Sequence, residues 1–262
     1  MACKVICGDM LDVLDRPEYF ERFDFCFCDP PFNIGHPYVG YQDSVEDNSY
    51  QWRVLHWVIR AWASLNETGV LALHGNDYLQ ELYLRYAHSQ GMHRIATVIW
   101  HYRFGQHQDA NWINSHAYCL VFAKDPKNYT WNPDEVLVES DRASTYGDGR
   151  ITQSKRGGRR VPLTVWGIPS DGPNWGRVQG NSRERRAGHP NQLPEVYLER
   201  LLRAYTSPGD YVLDPFCGSG TTAAVATTLG RVCVTIDVSE ESCRSARERI
   251  SKGAVRVGGS DG

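Results

Sequence analysis

Apolar residues run through this chain in short blocks separated by polar knots, and the blocks fall into two spacings. Lys4-Val5-Ile6-Cys7 and Phe25-Cys26-Phe27-Cys28 read as strands, with a helical segment predicted around Met10 to Leu14 between them. Trp52, Leu55, Trp57, Ile59 and Trp62 recur at helical spacing, which predicts one amphipathic helix over residues 49–65 with its tryptophans in the core. Strands follow at residues 70–73, 95–100 and 118–123, with a helix at 78–89 between the first two. After a long interruption the alternation resumes. It gives a helix ending near Tyr205, a strand at 211–214, a helix at 221–229, a strand at 232–236 and a charged helix at 240–250. Such alternation predicts an α/β domain around a largely parallel sheet.

Composition narrows the class. A hydrophobic content of 41% with 8 Trp and 14 Tyr is enough for a real core and excludes global disorder. No apolar run approaches the ~20 residues of a membrane span, and the N-terminus lacks a signal pattern, so a soluble, cytoplasmic protein is expected. The eight cysteines show no zinc spacing, and Cys26, Cys28, Cys119 and Cys233 sit inside apolar runs as small hydrophobes. A reducing compartment and no metal are expected.

Two strand ends carry candidate chemistry. Phe27-Cys28 runs into Asp29-Pro30-Pro31-Phe32, where proline ends the ladder and leaves a carboxylate, backbone acceptors and a ring together. That set suits an amino group on a flat aromatic substrate; the plainer alternative is a proline-capped strand with a solvated acid. The loop after it, residues 34–48, reads as mobile, and its His36, Tyr38 and Tyr41 are candidates for closing over such a substrate. The second end is Asp214-Pro215-Phe216-Cys217-Gly218-Ser219-Gly220-Thr221-Thr222, a Gly-rich turn between strand and helix. Asp237 closes the next strand, 19 residues after Gly218, at the spacing of an acid that binds ribose hydroxyls. No Walker motif is present, and GxGxxG lacks its third glycine, which disfavours a dinucleotide oxidoreductase. Asp214 would repel a pyrophosphate but suits a cationic nucleoside, and S-adenosylmethionine answers to that description.

Between these halves lies a segment of different character. Residues 142–186 hold ten Lys/Arg against three acids, a net +7 in a chain whose total is −3, so the remainder carries −10. Little periodicity is visible there, and a segregated basic segment is the footprint of phosphate binding. Its candidate nucleic-acid contacts are Arg150, Lys155, Arg156, Arg159, Arg160, Arg177, Arg183, Arg185 and Arg186.

With the order Asp29-Pro30-Pro31-Phe32, Arg-rich segment, His189-Pro190-Asn191-Gln192-Leu193-Pro194-Glu195, then the loop from Asp214 to Thr222, the chain resembles the amino-methylating (N6-adenine/N4-cytosine) DNA methyltransferases in their β-group motif order. The resemblance implies a Rossmann-like S-adenosylmethionine-dependent methyltransferase fold, with a mostly parallel seven-stranded sheet and a basic target-recognition insertion. Residues 1–124 would form the catalytic half, 125–188 the insertion, 189–252 the cofactor half and 253–262 a flexible tail. By the same resemblance Asp29, Pro30, Pro31 and Phe32 are catalytic. Asp9, Asp29, Gln192, Asp214, Phe216, Gly218, Ser219, Gly220, Thr221 and Asp237 serve the cofactor. Leu193 stands where many relatives carry Lys, a departure at the cofactor's methionine end. The implied reaction is methyl transfer to adenine N6 by base flipping and direct in-line displacement. Cytosine N4, or a catalytically inactive nucleic-acid-binding relative, are the alternatives. Double-stranded DNA is the implied partner, and the resemblance admits a homodimer and a cognate restriction enzyme.

Overall fold

Strand β2 (Phe23–Cys28) sends alternate side chains into two different cores. Phe25 and Phe27 join one and Cys26 and Cys28 the other, so an unbroken apolar run is what a strand covered on both faces requires. The computed structural model describes residues 3–257 apart from 39, 104, 106, 108, 154 and 190. Pro190 of the His189–Glu195 motif and residues 258–262 of the expected tail therefore lie outside the described residues.

In chain order the elements before the basic segment are β1 (Cys3–Cys7), α1 (Met10–Leu14), β2, α2 (Asp47–Ala63), β3 (Leu65–Gly75), α3 (Asp77–Ser89), β4 (His93–His101) and β5 (His116–Ala123). Short pieces follow: β6 (Val138–Glu139), α4 (Arg142–Tyr146), β7 (Arg159–Arg160) and β8 (Val165–Trp166). The chain closes with α5 (Glu195–Tyr205), β9 (Tyr211–Asp214), α6 (Thr221–Thr228), β10 (Val232–Asp237) and α7 (Glu240–Lys252).

The main sheet has the order β1-β10-β9-β2-β3-β5-β4-β8. All seven anticipated strands are present, and the two-residue β8 adds an eighth at the edge. β1, β10, β9, β2 and β3 are parallel, and β5 lies antiparallel between β3 and β4. β9 and β2 are neighbours, with Phe25 opposite Val212 and Cys26 opposite Leu213. From that pair the sheet runs to β10 and β1 on one side and to β3, β5 and β4 on the other. The reversal of strand order opens a crevice where ligands bind in folds of this type. Helices α1, α2 and α3 cover one face, and α5 and α6 cover the other.

Several expectations are corrected. Trp52 is not core: α2 buries Tyr50, Val54, Trp57, Val58 and Ala61, and Trp52 falls off that stripe, 62% exposed and stacked on His56. The loop read as mobile is pinned. Buried Asp43 accepts hydrogen bonds from the N–H groups of Asn33 (2.7 Å), Ile34 (3.2 Å) and His36 (2.9 Å). Asn33, at φ 57, bonds both backbone polar groups of Val45 through its side-chain amide. Asn33 tolerates this left-handed conformation better than most residues would. Residues 253–257 are also held, by Thr228 and Glu195 accepting from the N–H groups of Ala254, Val255 and Arg256.

The basic segment has little regular structure, as its weak periodicity suggests, but two tryptophans root it. Trp166 and Trp175 are buried beside Trp100 and Tyr197, and Trp100 Nε1 donates to the Trp175 carbonyl at 2.7 Å. Arg200 of α5 lies over both rings while it pairs with Asp171 at 2.9 Å.

Candidate active site

The two strand ends singled out in the sequence meet at the crevice. β2 ends at Cys28 and β9 ends at Asp214, so Asp29 and Asp214 stand at adjacent tips although 185 residues separate them. Their electrostatics differ. Loss of water pushes the Asp29 carboxyl up to about 8, with the Asp214 charge adding to the shift. Asp214 is pushed by burial only to about 6, because the Thr222 hydroxyl and the Phe216 N–H (3.0 Å) stabilise its ionised form. Among the described residues no donor reaches the Asp29 carboxylate or the Pro30 carbonyl. The Pro31 carbonyl is taken by the Tyr50 hydroxyl at 2.6 Å.

Phe32 is half-buried, with its ring 6.4 Å from His74 at the tip of β3. Behind it His74 Nδ1 and the Tyr197 hydroxyl share a hydrogen bond of 3.0 Å. Burial pushes the imidazole down to about 3, so the ring is neutral. Sequence reasoning passed over His74 as part of a polar knot, and its only signal was a strand-end position matching that of Asp29.

The loop after Phe32 brings its aromatics to the same crevice. His36 and Tyr38 rings lie 4.5 Å apart and Tyr38 and Tyr41 6.5 Å. Tyr41 and Trp57 lie 6.3 Å apart, and Trp57 and Phe216 5.1 Å. A row of rings therefore runs from the loop after the first tip to the loop after the second. Burial raises the Tyr38 hydroxyl, Asp29 adds to that, and a hydrogen bond to Asn191 opposes it.

In the second loop the Asp237 carboxylate accepts from the N–H groups of Gly218 and Ser239, each at 2.8 Å. Gly220 caps α6 at φ 74, and a Cβ there would lie 2.8 Å from Ala246 Cα, so glycine is required for α7 to approach. Ser219 and Thr221 turn their side chains to Arg249 of α7. Gln192 spends its amide on the Glu184 carbonyl (2.7 Å) and the Arg186 N–H (3.0 Å), which places it under the basic segment. Asp9, at the end of β1, caps α1 through Leu11 N–H at 2.8 Å, while Gly8 N–H bonds the Asp237 carbonyl. Leu193 is buried in the core beside Tyr197.

The basic residues are less uniform than their count implies. Arg142 and Arg150 both pair with Asp148, Arg156 with Asp134 and Arg160 with Asp141. Arg177 lies over the Tyr102 ring at 4.2 Å, and Arg185 donates to the Gly180 carbonyl. Arg186 is half-buried, while Lys155, Arg159 and Arg183 are exposed.

The site is thus the rim of an α/β sheet with two acid-tipped strands at its reversal point, joined by a row of rings and flanked by a basic segment. Comparison with known proteins gives the family. The DNA methylase family model matches residues 23–248, and the chain belongs to that N6/N4 family of S-adenosylmethionine-dependent DNA methyltransferases. It is 30% identical over 255 residues to the DNA adenine methyltransferase YhdJ of Escherichia coli, covering 94% of this chain and 82% of that one. Identity to the type II methyltransferase M.HpaI of Haemophilus parainfluenzae is 29% over 248 residues, covering 94% and 74%. The fold is similar to that of the cytosine-N4-specific PvuII DNA methyltransferase, with a TM-score of 0.68 at 17% identity over 94% of this chain and 86% of that one. Among the described residues no helix is long and apolar enough to cross a membrane.

Proposed function

We propose that this site-specific DNA methyltransferase modifies adenine at N6, on a base flipped out of the duplex. The observation that carries the reading is the pair of acceptors at the first tip, Asp29 and the Pro30 carbonyl, which no donor of the described protein reaches. An exocyclic amine needs two acceptors in that arrangement, one for each N–H. The aspartate at the head of the tetrapeptide and the similarity to YhdJ favour adenine over cytosine.

The second loop fits the methyl donor chemically. Its acids are Asp214 and Asp237, and the Arg249 guanidinium that reaches Ser219 and Thr221 is paired with Glu195, which suits a cation without phosphate. Asp237 and the backbone at Gly218 would hold the ribose, Phe216 and Trp57 the adenine, and Asp214 with Asp29 the charged end. When bound, S-adenosylmethionine supplies a methyl group activated by its sulfonium.

Asp29 and Pro30 would accept the two amine hydrogens and so make the nitrogen more pyramidal, with its lone pair turned to the donor. Phe32 would stack on the base, and His36, Tyr38 and Tyr41 would exclude water from the other side. The nitrogen would be held for in-line attack on the methyl carbon, the C–N bond forming as the C–S bond breaks and S-adenosylhomocysteine leaves. The proton the amine sheds would pass to Asp29 or solvent, with no covalent enzyme intermediate. Positioning supplies most of the acceleration. The basic segment would meet DNA phosphates through Lys155, Arg159 and Arg183 first, since these are exposed. Similarity to a type II methyltransferase supports a cognate restriction enzyme as part of the same proposal.

DNA treated with the protein and labelled S-adenosylmethionine is digested to nucleosides and resolved by mass spectrometry. N6-methyladenine supports the reading. N4-methylcytosine replaces it with the cytosine alternative, and DNA binding without label identifies an inactive relative.

A further inference from the structure

Arg249 is fully buried on α7, far in sequence from both motifs, and its guanidinium reaches into the second loop. One terminal nitrogen donates to three oxygens there: the Ser219 carbonyl at 3.3 Å, Ser219 Oγ at 3.2 Å and Thr221 Oγ1 at 2.6 Å. The other donates to Glu195 Oε1 at 2.7 Å, in an ion pair without solvent access on either side. Glu195 is held in turn. Its second oxygen accepts from Val255 and Arg256 N–H, and its own N–H donates to Glu184 Oε2 at 2.8 Å. Ala246, one helical turn before Arg249, is the residue that Gly220 admits to close approach. The same face of α7 therefore touches the loop twice, by packing and by a charged fork.

We propose that Arg249, oriented by Glu195, is a positioning residue for the cofactor. It draws the Ser219 and Thr221 side chains inward, so that what the loop offers a ligand is its backbone, held at fixed height above α7. The inference rests on the reading that residues 214–221 hold S-adenosylmethionine. A fork is needed because two targets lie in different directions, the carboxylate on α5 and the oxygens of the loop; a single ammonium serves one or the other. The arrangement also ties the loop to Glu184, which stands among the basic residues Arg183, Arg185 and Arg186.

The test compares cofactor affinity by calorimetry with melting temperature in four variants. Arg249→Lys is expected to bind S-adenosylmethionine at least tenfold more weakly, and in turnover the cofactor KM rises more than kcat falls. Leu201→Ala, a core change on α5 outside the site, is expected to lower the melting temperature and keep the affinity. The double variant Arg249→Met/Glu195→Met removes both buried charges, so it is expected to regain stability relative to Arg249→Lys and still bind weakly. Affinity that returns with stability in the double variant, native affinity in Arg249→Lys, or an equal loss in Leu201→Ala would each overturn the proposal. Asp237→Asn separates the two levels. Native affinity there removes the cofactor reading itself, whereas lost affinity there with native affinity in Arg249→Lys removes only the role of Arg249.

Discussion

The two strand tips share a skeleton, Asp-Pro followed closely by Phe, yet the protein treats their acids in opposite ways. Asp214 is built in, buried and bonded by Phe216 N–H and the Thr222 hydroxyl. Asp29 is left open, with a raised pKa and no donor among the described residues. Satisfying a buried acceptor stabilises a fold, and leaving one unsatisfied stores an attraction for whatever donor arrives. The difference separates an acid whose bonds shape a loop from one whose oxygens are left free for a proposed ligand.

The sharpest way to break this contrast is to remove each acid. Asp29→Ala is expected to lower the methylation rate by about 10³-fold or more, with little change in melting temperature when this is measured at pH 5, where the buried carboxyl is still protonated. Asp214→Ala strands the Phe216 N–H and is expected to cost about 1–3 kcal/mol of stability as well as cofactor affinity. Equal melting temperatures for the two variants would erase the distinction.

Protonation gives the next largest effect. A cationic ligand beside Asp29 favours its ionised form, so binding releases a proton wherever the free carboxyl still holds one, below a pH of about 8. Cofactor affinity should then rise with pH by up to about tenfold per unit between pH 6 and 8, and calorimetry in buffers of different ionisation heat should count the proton. In Asp29→Ala the slope should flatten.

The glycines of the second loop sharpen its structural character. Gly220→Ala, facing Ala246 with φ 74, is expected to cost about 2 kcal/mol or more. Gly218→Ala, at φ 49 with only an ordinary contact of 3.9 Å to the Phe216 carbonyl oxygen, should cost about half as much. Chemical denaturation of both variants measures the gap.

The remaining effect is on the free protein. Between the ordinary carboxylate pKa and about 8 the folded state keeps a proton on Asp29 that the unfolded chain has released, so this group's contribution to stability falls as pH rises. His74 acts in the other direction: held neutral down to about 3, it costs stability as pH falls through its unfolded value near 6.5. Melting temperatures of the native protein and Asp29→Ala should diverge as pH rises from 5 to 8, and those of the native protein and His74→Gln as it falls from 6.5 to 4.

Much of this was legible in the chain because period and punctuation are local. Strands buried on both faces wrote themselves as apolar runs, and Pro30, Pro215, Gly218 and Gly220 marked where they stop. What escaped depends on partners distant in sequence. Asp43 reads as one polar residue in a polar loop until three N–H groups converge on it. Arg249 reads as one charge in a charged helix, although it continues the buried positions Cys243 and Ala246. Trp166 and Trp175 carry no periodicity, since each fills a place at the sheet edge from an irregular chain.

Those two tryptophans bear on how such an enzyme acquires a new recognition sequence. The segment that would read DNA is rooted among Trp100, Tyr197 and Arg200, and Tyr197 holds His74 behind Phe32. Transplanting a foreign segment without its roots would open a hollow behind the Phe32 ring. Exchange of specificity between relatives is therefore expected to succeed when the graft carries its own pair of anchors, and to yield slow enzymes when it joins at the visible charge boundary alone.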